Sequence, residues 1–414
     1  MASGPRTGRL ARARALSGSR AAAAGSLLAL WIVAGWGCAE RASTPPPEPT
    51  ATRASMAEIV EALEVALPAS LSEARFADPS RRQALEAALG ALRDGATTLE
   101  SHGRERDASF AHLSRSLALD AAEIERRFSA GRFEEARFLL GELVDTCVGC
   151  HSRLPAGGDS DLGRSLYERV NTEPFTAAER ARLEVATRQF DRALETYEEL
   201  FTSPDARALD LEGLLVDYLV IAIRVDRDLE RARDTLEQVA ARPEVPAPLR
   251  ELVRGWSQAA GELAGRGPGA DPVGEARALV AEGEALRRVP ADRAGLIHDL
   301  VASAWLMAYV AQHPEDDPST AEAYYLLGVT ELHADHGAWL SEPESYLETA
   351  IRNAPGSPAA RMAYAVLEEE TLADYGGSSG VHLPPEVARW LDELRALAEG
   401  SPPAPGEETA PGEP

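Results

Sequence analysis

An apolar stripe at helical spacing runs without a break into two cysteines and a histidine. In "FEEARFLLGELVDTCVGCHSR" the residues Phe133, Ala136, Leu140, Leu143, Cys147 and Cys150 recur every three or four positions, and His151 follows directly. That period commits the segment to an amphipathic helix. Positions i, i+3 and i+4 are neighbours on a helix surface, so the spacing places Cys147, Cys150 and His151 on one face. Whatever fold the chain adopts must press its core against the face that carries them. Cysteine is otherwise scarce: Cys38 is the third and last in 414 residues.

The chemistry open to this triplet is narrow. A structural zinc site takes four ligands, and the dispersed histidines offer no second pair at matching spacing. A thioredoxin-like dithiol shares the C-x-x-C spacing but belongs beside a strand–helix unit, whereas both flanks here read as helical. C-x-x-C-H is the attachment pattern of one covalent haem c, with Cys147 and Cys150 in thioether links to its vinyl groups and His151 as the proximal iron ligand. The bland alternative is a chance match, in which the two thiols are buried or form a surface disulfide.

Covalent haem attachment requires an exported chain, and the N-terminus reads that way. Residues Met1 to Arg20 carry five arginines and no acidic residue, and they lead into "AAAAGSLLALWIVAGWGC". A basic start, an apolar core and small residues at its end make residues 1–37 an export signal. The apolar run from Ala21 to Gly37 is shorter than the roughly 20 residues of a membrane-spanning helix, with an uncleaved anchor as the alternative. Cys38 then opens "AERASTPPPEPTATRAS", so residues 38–54 read as an extended spacer. A cysteine at that junction resembles a bacterial lipoprotein, although Gly35-Trp36-Gly37 replaces the usual leucine-containing lipobox. The resemblance implies lipidation of Cys38 and a protein held at the periplasmic side of a bacterial membrane; a spare thiol is the alternative.

Formal charge is −25, and removing the five signal arginines takes it to −30. This excludes nucleic acid as a partner and favours a redox partner protein with a basic docking patch. Lysine is absent, so every cation other than histidine is arginine.

Residues 55–155 parse as four amphipathic helices. Ile59, Leu63 and Leu67 mark the first, ending near Pro68. Leu85, Leu89, Leu92, Ala96 and Leu99 mark the second, after a cap at Asp78 or Ser80. Phe110, Leu113, Leu117, Ile124 and Phe128 mark the third, with Asp120 as a point of interruption; Gly131 turns the chain into the fourth. The segment "AGRFEEARFLLGELVDTCVGCHSRL" resembles the class II cytochromes c, the cytochrome c′ family, whose haem motif closes the last helix of a four-helix bundle. That likeness covers about a quarter of the chain. It implies an all-α haem bundle with Cys147, Cys150 and His151 as haem-binding residues. The family's basic residue falls about four positions after the histidine, whereas this chain has Arg153 two after His151, as a haem-neighbour candidate.

In an up-down-up-down bundle the end of the fourth helix lies beside the start of the first, the end of the second and the start of the third. Met56, His102 and His112 are therefore the candidates for a sixth iron ligand. Met56 stands where low-spin four-helix relatives supply a distal methionine, so it is the distal candidate; methionine is also a common core filler.

After "PAGGDSD" the chain stays helical. "ATRQFDRALETYEELFTSP" and "AYYLLGVTEL…SYLETAIRNAPGSPAA" resemble tetratricopeptide helix pairs, with "RDLERARDTLEQVAARPEVP" as a poorer match. They give two TPR-like helical-repeat blocks, residues 162–264 and 273–399, separated at "GRGPGADPVG"; residues 400–414 form an acidic disordered tail. "ELHADHGAW" sets His333 and His336 one turn apart beside Glu331 and Asp335, a metal-compatible spacing whose plainer reading is a solvated helix end. No catalytic set emerges, so the chain is not expected to be an enzyme. The expectation is an all-α protein, a four-helix haem bundle followed by a helical-repeat docking domain, working in electron transfer. The alternatives are a five-coordinate gas-binding or sensing haem, and a repeat scaffold with a structural haem.

Overall fold

The computed structural model describes residues 51–103, 108–153, 160–203, 211–289, 292–313, 318–334, 343–377 and 380–400. All of them belong to the compact unit Pro49–Pro414. The described chain is all-α apart from two two-residue strands, Gly376–Gly377 and Gly380–Val381, paired antiparallel. None of its helices is long and apolar enough to cross a membrane.

The first helices are α1 (Ala51–Ser70), the single turn α2 (Glu73–Phe76), α3 (Arg82–Gly103), α4 (Ala108–Ser129) and α5 (Phe133–Arg153). The apolar positions read from the sequence are the ones that face inward. Leu85, Leu89, Leu92, Ala96 and Leu99 are buried along α3, and Phe110, Leu117, Ala121, Ile124 and Phe128 along α4. Each such leucine or phenylalanine contributes about 1.5–3 kcal/mol when taken fully out of water, which outweighs the small propensity differences between helix-forming residues. Two details differ from expectation. Helix α1 passes Pro68 and closes at Ser70, whose hydroxyl donates to the Leu67 carbonyl at 2.8 Å. Asp120 does not interrupt α4; its carboxylate accepts the Thr146 hydroxyl of α5.

Gly131 reverses the chain between α4 and α5 in a left-handed conformation, φ +77°. The Arg132 amide then donates back to the Arg127 carbonyl at 2.9 Å, the six-residue closure that satisfies the last carbonyls of a helix. Phe128, at this corner, packs edge-on against Phe76 and Phe133 with ring centroids 5.2 and 5.0 Å away. Helix α1 packs on α3, α3 on α4, α4 on α5, and α5 returns to α1.

The following helices are α6 (Asp161–Arg169), α7 (Ala177–Ala186), α8 (Phe190–Thr202), and α9 (Leu211–Val220), which continues into a π-helical turn, Ile221–Val225. Then come α10 (Leu229–Ala241), α11 (Ala247–Leu263), α12 (Pro272–Glu284), α13 (Leu296–Val310) and α14 (Pro318–Ala334). Helices α15 (Pro343–Asn353), α16 (Pro358–Asp374) and α17 (Pro385–Ala398) close the series. Sequence neighbours pack as pairs: α7 with α8, α10 with α11, α12 with α13, α14 with α15, α15 with α16.

The two regions are not separate at residue 155. Leu166 of α6, Val170 just after it and Leu183 of α7 belong to the same core as α1, α3, α4 and α5. Conversely, Val148 of α5 is buried in the larger core of the later helices. The cysteine-bearing helix is therefore shared by both cores. Gly163 permits the docking of α6: a Cβ there would overlap the Thr187 carbonyl oxygen at the end of α7.

Candidate functional site

The last two turns of α5 border a cavity of about 590 Å³, between α1, α5, α6 and the end of α7. Ile59 and Leu63 of α1, Leu140 and Leu143 of α5, Leu166 of α6 and Leu183 of α7 supply apolar walls. The volume falls inside the range of about 300–1,000 Å³ that cofactor-sized molecules occupy. Cys147, His151 and Met56 all line it. Helix order thus brings the first turns of α1 to the last turns of α5.

Cys150 is not part of this lining, although it is near enough to Arg188 for their charges to interact. It lines an adjoining pocket of about 30 Å³ with Phe110, Leu113, Met307 and Tyr346. Helix geometry gives the reason. At about 100° per residue, Cys147 lies between the other two, roughly 60° from Cys150 on one side and 40° from His151 on the other. One face therefore spans an arc of about 100°, and its Cys150 edge meets residues of α4, α13, α14 and α15.

The His151 ring is fixed by its surroundings. Its Nδ1 lies 2.9 Å from the Ala186 carbonyl oxygen. A carbonyl can only accept, so Nδ1 carries the proton and Nε2 keeps its lone pair. Burial first, and the nearby Arg188 charge second, push the imidazole down to about 4 against the opposing hydrogen bonds of Ala186 and Val185. It is neutral at pH 7, the form that binds a metal. A carbonyl on the second nitrogen is the usual orienting partner of a ligating histidine. Cys147 and Cys150 do not form a disulfide, and burial pushes the Cys147 thiol up to about 12. A thiol held neutral in this way is a poor nucleophile.

His102 and His112 do not line the cavity. His112, on α4, has its pKa lowered by partial burial and then by the charge of Arg153. Of the three candidate sixth ligands, Met56 alone shares the cavity with His151. For a haem, His151, Met56, Cys147 and the apolar walls fit; Cys150 fits only if its side chain turns out of the pocket beside Phe110. Cys38 lies outside the described residues.

Arg153 occupies a different environment from the one the family likeness implied. Its guanidinium donates to the Gly149 carbonyl at 3.0 Å and to the Glu331 carboxylate at 3.0 Å. Glu331 also pairs with Arg224 at 2.6 Å, and Arg224 Nε donates to the Ser303 hydroxyl at 2.8 Å. The three side chains are 4%, 0% and 1% exposed, respectively, for Arg153, Glu331 and Arg224. The end of α5 is thereby tied to α14, α13 and the π-helical turn, a kind of helix irregularity that concentrates at functional sites.

Two of the residues singled out in "ELHADHGAW", Glu331 and His333, are among the described ones. Glu331 is committed to two arginines, and His333 faces Asp299 at 3.3 Å. Asp335 and His336 lie outside the described residues. Among the described residues no group of three or more His, Cys, Asp or Glu side chains gathers as a chelating metal-ion site would need.

Sequence reasoning missed the contribution of α6 and α7. Ala186 orients His151, and Arg188 lines the cavity with its backbone at φ +55°. The Ser160 cap of α6 and the Thr176–Glu179 capping box of α7 were readable signals for those helices, but not for their docking on α5. No family model, no curated protein and no solved structure matches this chain, so its site is characterised by these residues alone.

Proposed function

We propose that this chain is an exported, lipid-anchored monohaem c-type cytochrome that transfers electrons, with its later helices serving as a helical-repeat docking scaffold. The observation that carries the reading is the meeting of Cys147, His151 and Met56 at one apolar cavity, within a C-x-x-C-H sequence. His151 would offer Nε2 to the iron, its ring held by the Ala186 carbonyl. Met56 would offer its thioether. Cys147 would hold the group from the cavity side, and Cys150 would complete the attachment after turning from its pocket.

A haem held there supplies a one-electron ferric/ferrous couple. The leucine and isoleucine walls would keep water from the group, and His151 and Met56 are the side chains that would hold its iron. The acidic surface, with a formal charge of −25 over the chain, suits a basic docking patch on the partner. Cys38 and its Pro-rich spacer would tether the protein to the periplasmic side of the membrane.

An absorption spectrum of the haem-loaded protein tests the ligand set. Low-spin bands that do not shift under CO are expected. Met56→Ala should open the iron to CO and lower the reduction potential, because a thioether favours ferrous iron. A wild type that is already high-spin and binds CO would replace electron transfer with gas binding.

A further inference from the structure

The cavity has apolar walls but is not electrically neutral. Arg53 and Arg188 both line it, from opposite ends of the sequence that builds it. Asp161, the acidic residue in the lining among the described residues, turns its carboxylate outward: the side chain is 95% exposed and lies 3.7 Å from Arg164. Arg53 is exposed on the first turn of α1, whereas Arg188 is half-buried at the junction of α7 and α8.

The backbone of Arg188 is in the left-handed region, φ +55°. For a residue with a Cβ this costs about 1–2 kcal/mol, a cost that glycine at the same position avoids. Such conformations persist where the surroundings over-determine them, and they cluster at ligand clamps. Here the turn is heavily constrained. Arg188 N–H donates to the Val185 carbonyl at 2.9 Å, Gln189 N–H to Glu184 at 2.7 Å, and Ser160 N–H to the Arg188 carbonyl at 3.1 Å. The Gln189 side-chain amide adds bonds to the Ser160 and Thr187 carbonyls at 2.9 and 3.1 Å. The guanidinium carbon stands 5.8 Å from the centre of the Phe190 ring, which steadies the charge over an aromatic face. A cation is thus set at the wall of an apolar chamber with little freedom left to lose on binding.

We infer that Arg188 supplies the counter-charge for the carboxylate edge of an apolar-bodied group bound in this cavity. Guanidinium is the side chain best matched to carboxylate, through paired N–H donors. The inference rests on the haem reading in so far as the carboxylates are haem propionates; a fatty acid carries the same chemistry. It assigns to the α7–α8 turn, outside the C-x-x-C-H helix, a direct part in holding the cofactor.

The test uses the full chain produced without haem attachment and titrated with haemin, haemin dimethyl ester and dodecanoate. Arg188→Gln removes the charge. Arg188→Gly removes it while adopting the left-handed backbone freely, so strain or misfolding in the first variant cannot mimic the effect; circular dichroism checks helix content in both. The wild type should bind haemin at least about tenfold more tightly than its ester, and both variants should bring that ratio close to one. A ratio near one in the wild type, or one unchanged by both substitutions, overturns the role of Arg188 while leaving haem binding intact. Binding of dodecanoate that depends on Arg188, without binding of haemin, keeps the counter-charge and removes the haem. Binding of none of the three removes both.

Discussion

Replacing Glu331 with glutamine takes away the carboxylate shared by Arg153 and Arg224 and leaves two guanidinium groups facing each other in a protein interior. The partners stand 3.0 and 2.6 Å from Glu331, and none of the three side chains is more than 4% exposed. Water cannot screen the charges that remain, so the surface value of 0–1 kcal/mol for an ion pair does not apply. Removing one member of a buried pair costs about 3–5 kcal/mol. Against the 5–15 kcal/mol typical of a folded domain that is a large fraction. With a urea dependence of about 1–3 kcal/mol per molar, the midpoint should fall by at least about 1 M. Urea denaturation followed by circular dichroism measures it. The triple variant Arg153→Met, Glu331→Leu, Arg224→Met separates charge from shape: apolar replacement of a whole buried triad is neutral or stabilising by about 1–4 kcal/mol. A Glu331→Gln midpoint within about 0.3 M of wild type, or a triple variant as unstable as the single one, would refute the electrostatic argument for how α5 is tied to the later helices.

Gly163→Ala should destabilise the chain by about 1–3 kcal/mol, because the added Cβ collides with the Thr187 carbonyl and must part α6 from α7; thermal unfolding reads this directly. Asp217 is buried, and burial pushes its carboxyl up to about 7 despite the charges of Arg182 and Arg293. Its folded pKa exceeds the unfolded value of about 3.9, so the unfolded chain binds fewer protons in between, and stability attributable to this group falls as pH rises from about 4 to 7. Asp217→Asn should therefore raise the unfolding midpoint at pH 7 and above, with the gain vanishing near pH 4; a gain independent of pH would contradict the assignment.

The helices were legible because their signal is local. Leu85, Leu89, Leu92, Ala96 and Leu99 repeat at the period of a helix and are all buried. The meeting of Met56 with His151 was legible from helix order, since short connections force neighbours to be antiparallel. What lay beyond reach depends on long-range pairing or on backbone angles. Arg153 and Glu331 are 178 residues apart, and nothing in either neighbourhood announces the partner. Helices α6 and α7 follow a Gly-, Pro- and Asp-rich stretch that reads as a linker, yet Leu166 and Leu183 enter the first core. The left-handed Arg188 was invisible because that conformation is normally signalled by glycine or asparagine. The 100° arc that Cys147, Cys150 and His151 cover was available in the arithmetic of the helix, but that Cys150 lines a different pocket from the other two depends on long-range packing.

The central claim is that Cys147 and Cys150 carry a haem through bonds that survive unfolding. The direct measurement is the mass and haem stain of the protein after a denaturing gel, produced with a c-type maturation system, beside a Cys147→Ala/Cys150→Ala variant. Expected is a mass increment of one haem and a stained band in the wild type, with both absent from the variant. A wild type whose haem leaves with the denaturant, or a double variant that keeps its full haem content, would contradict the account.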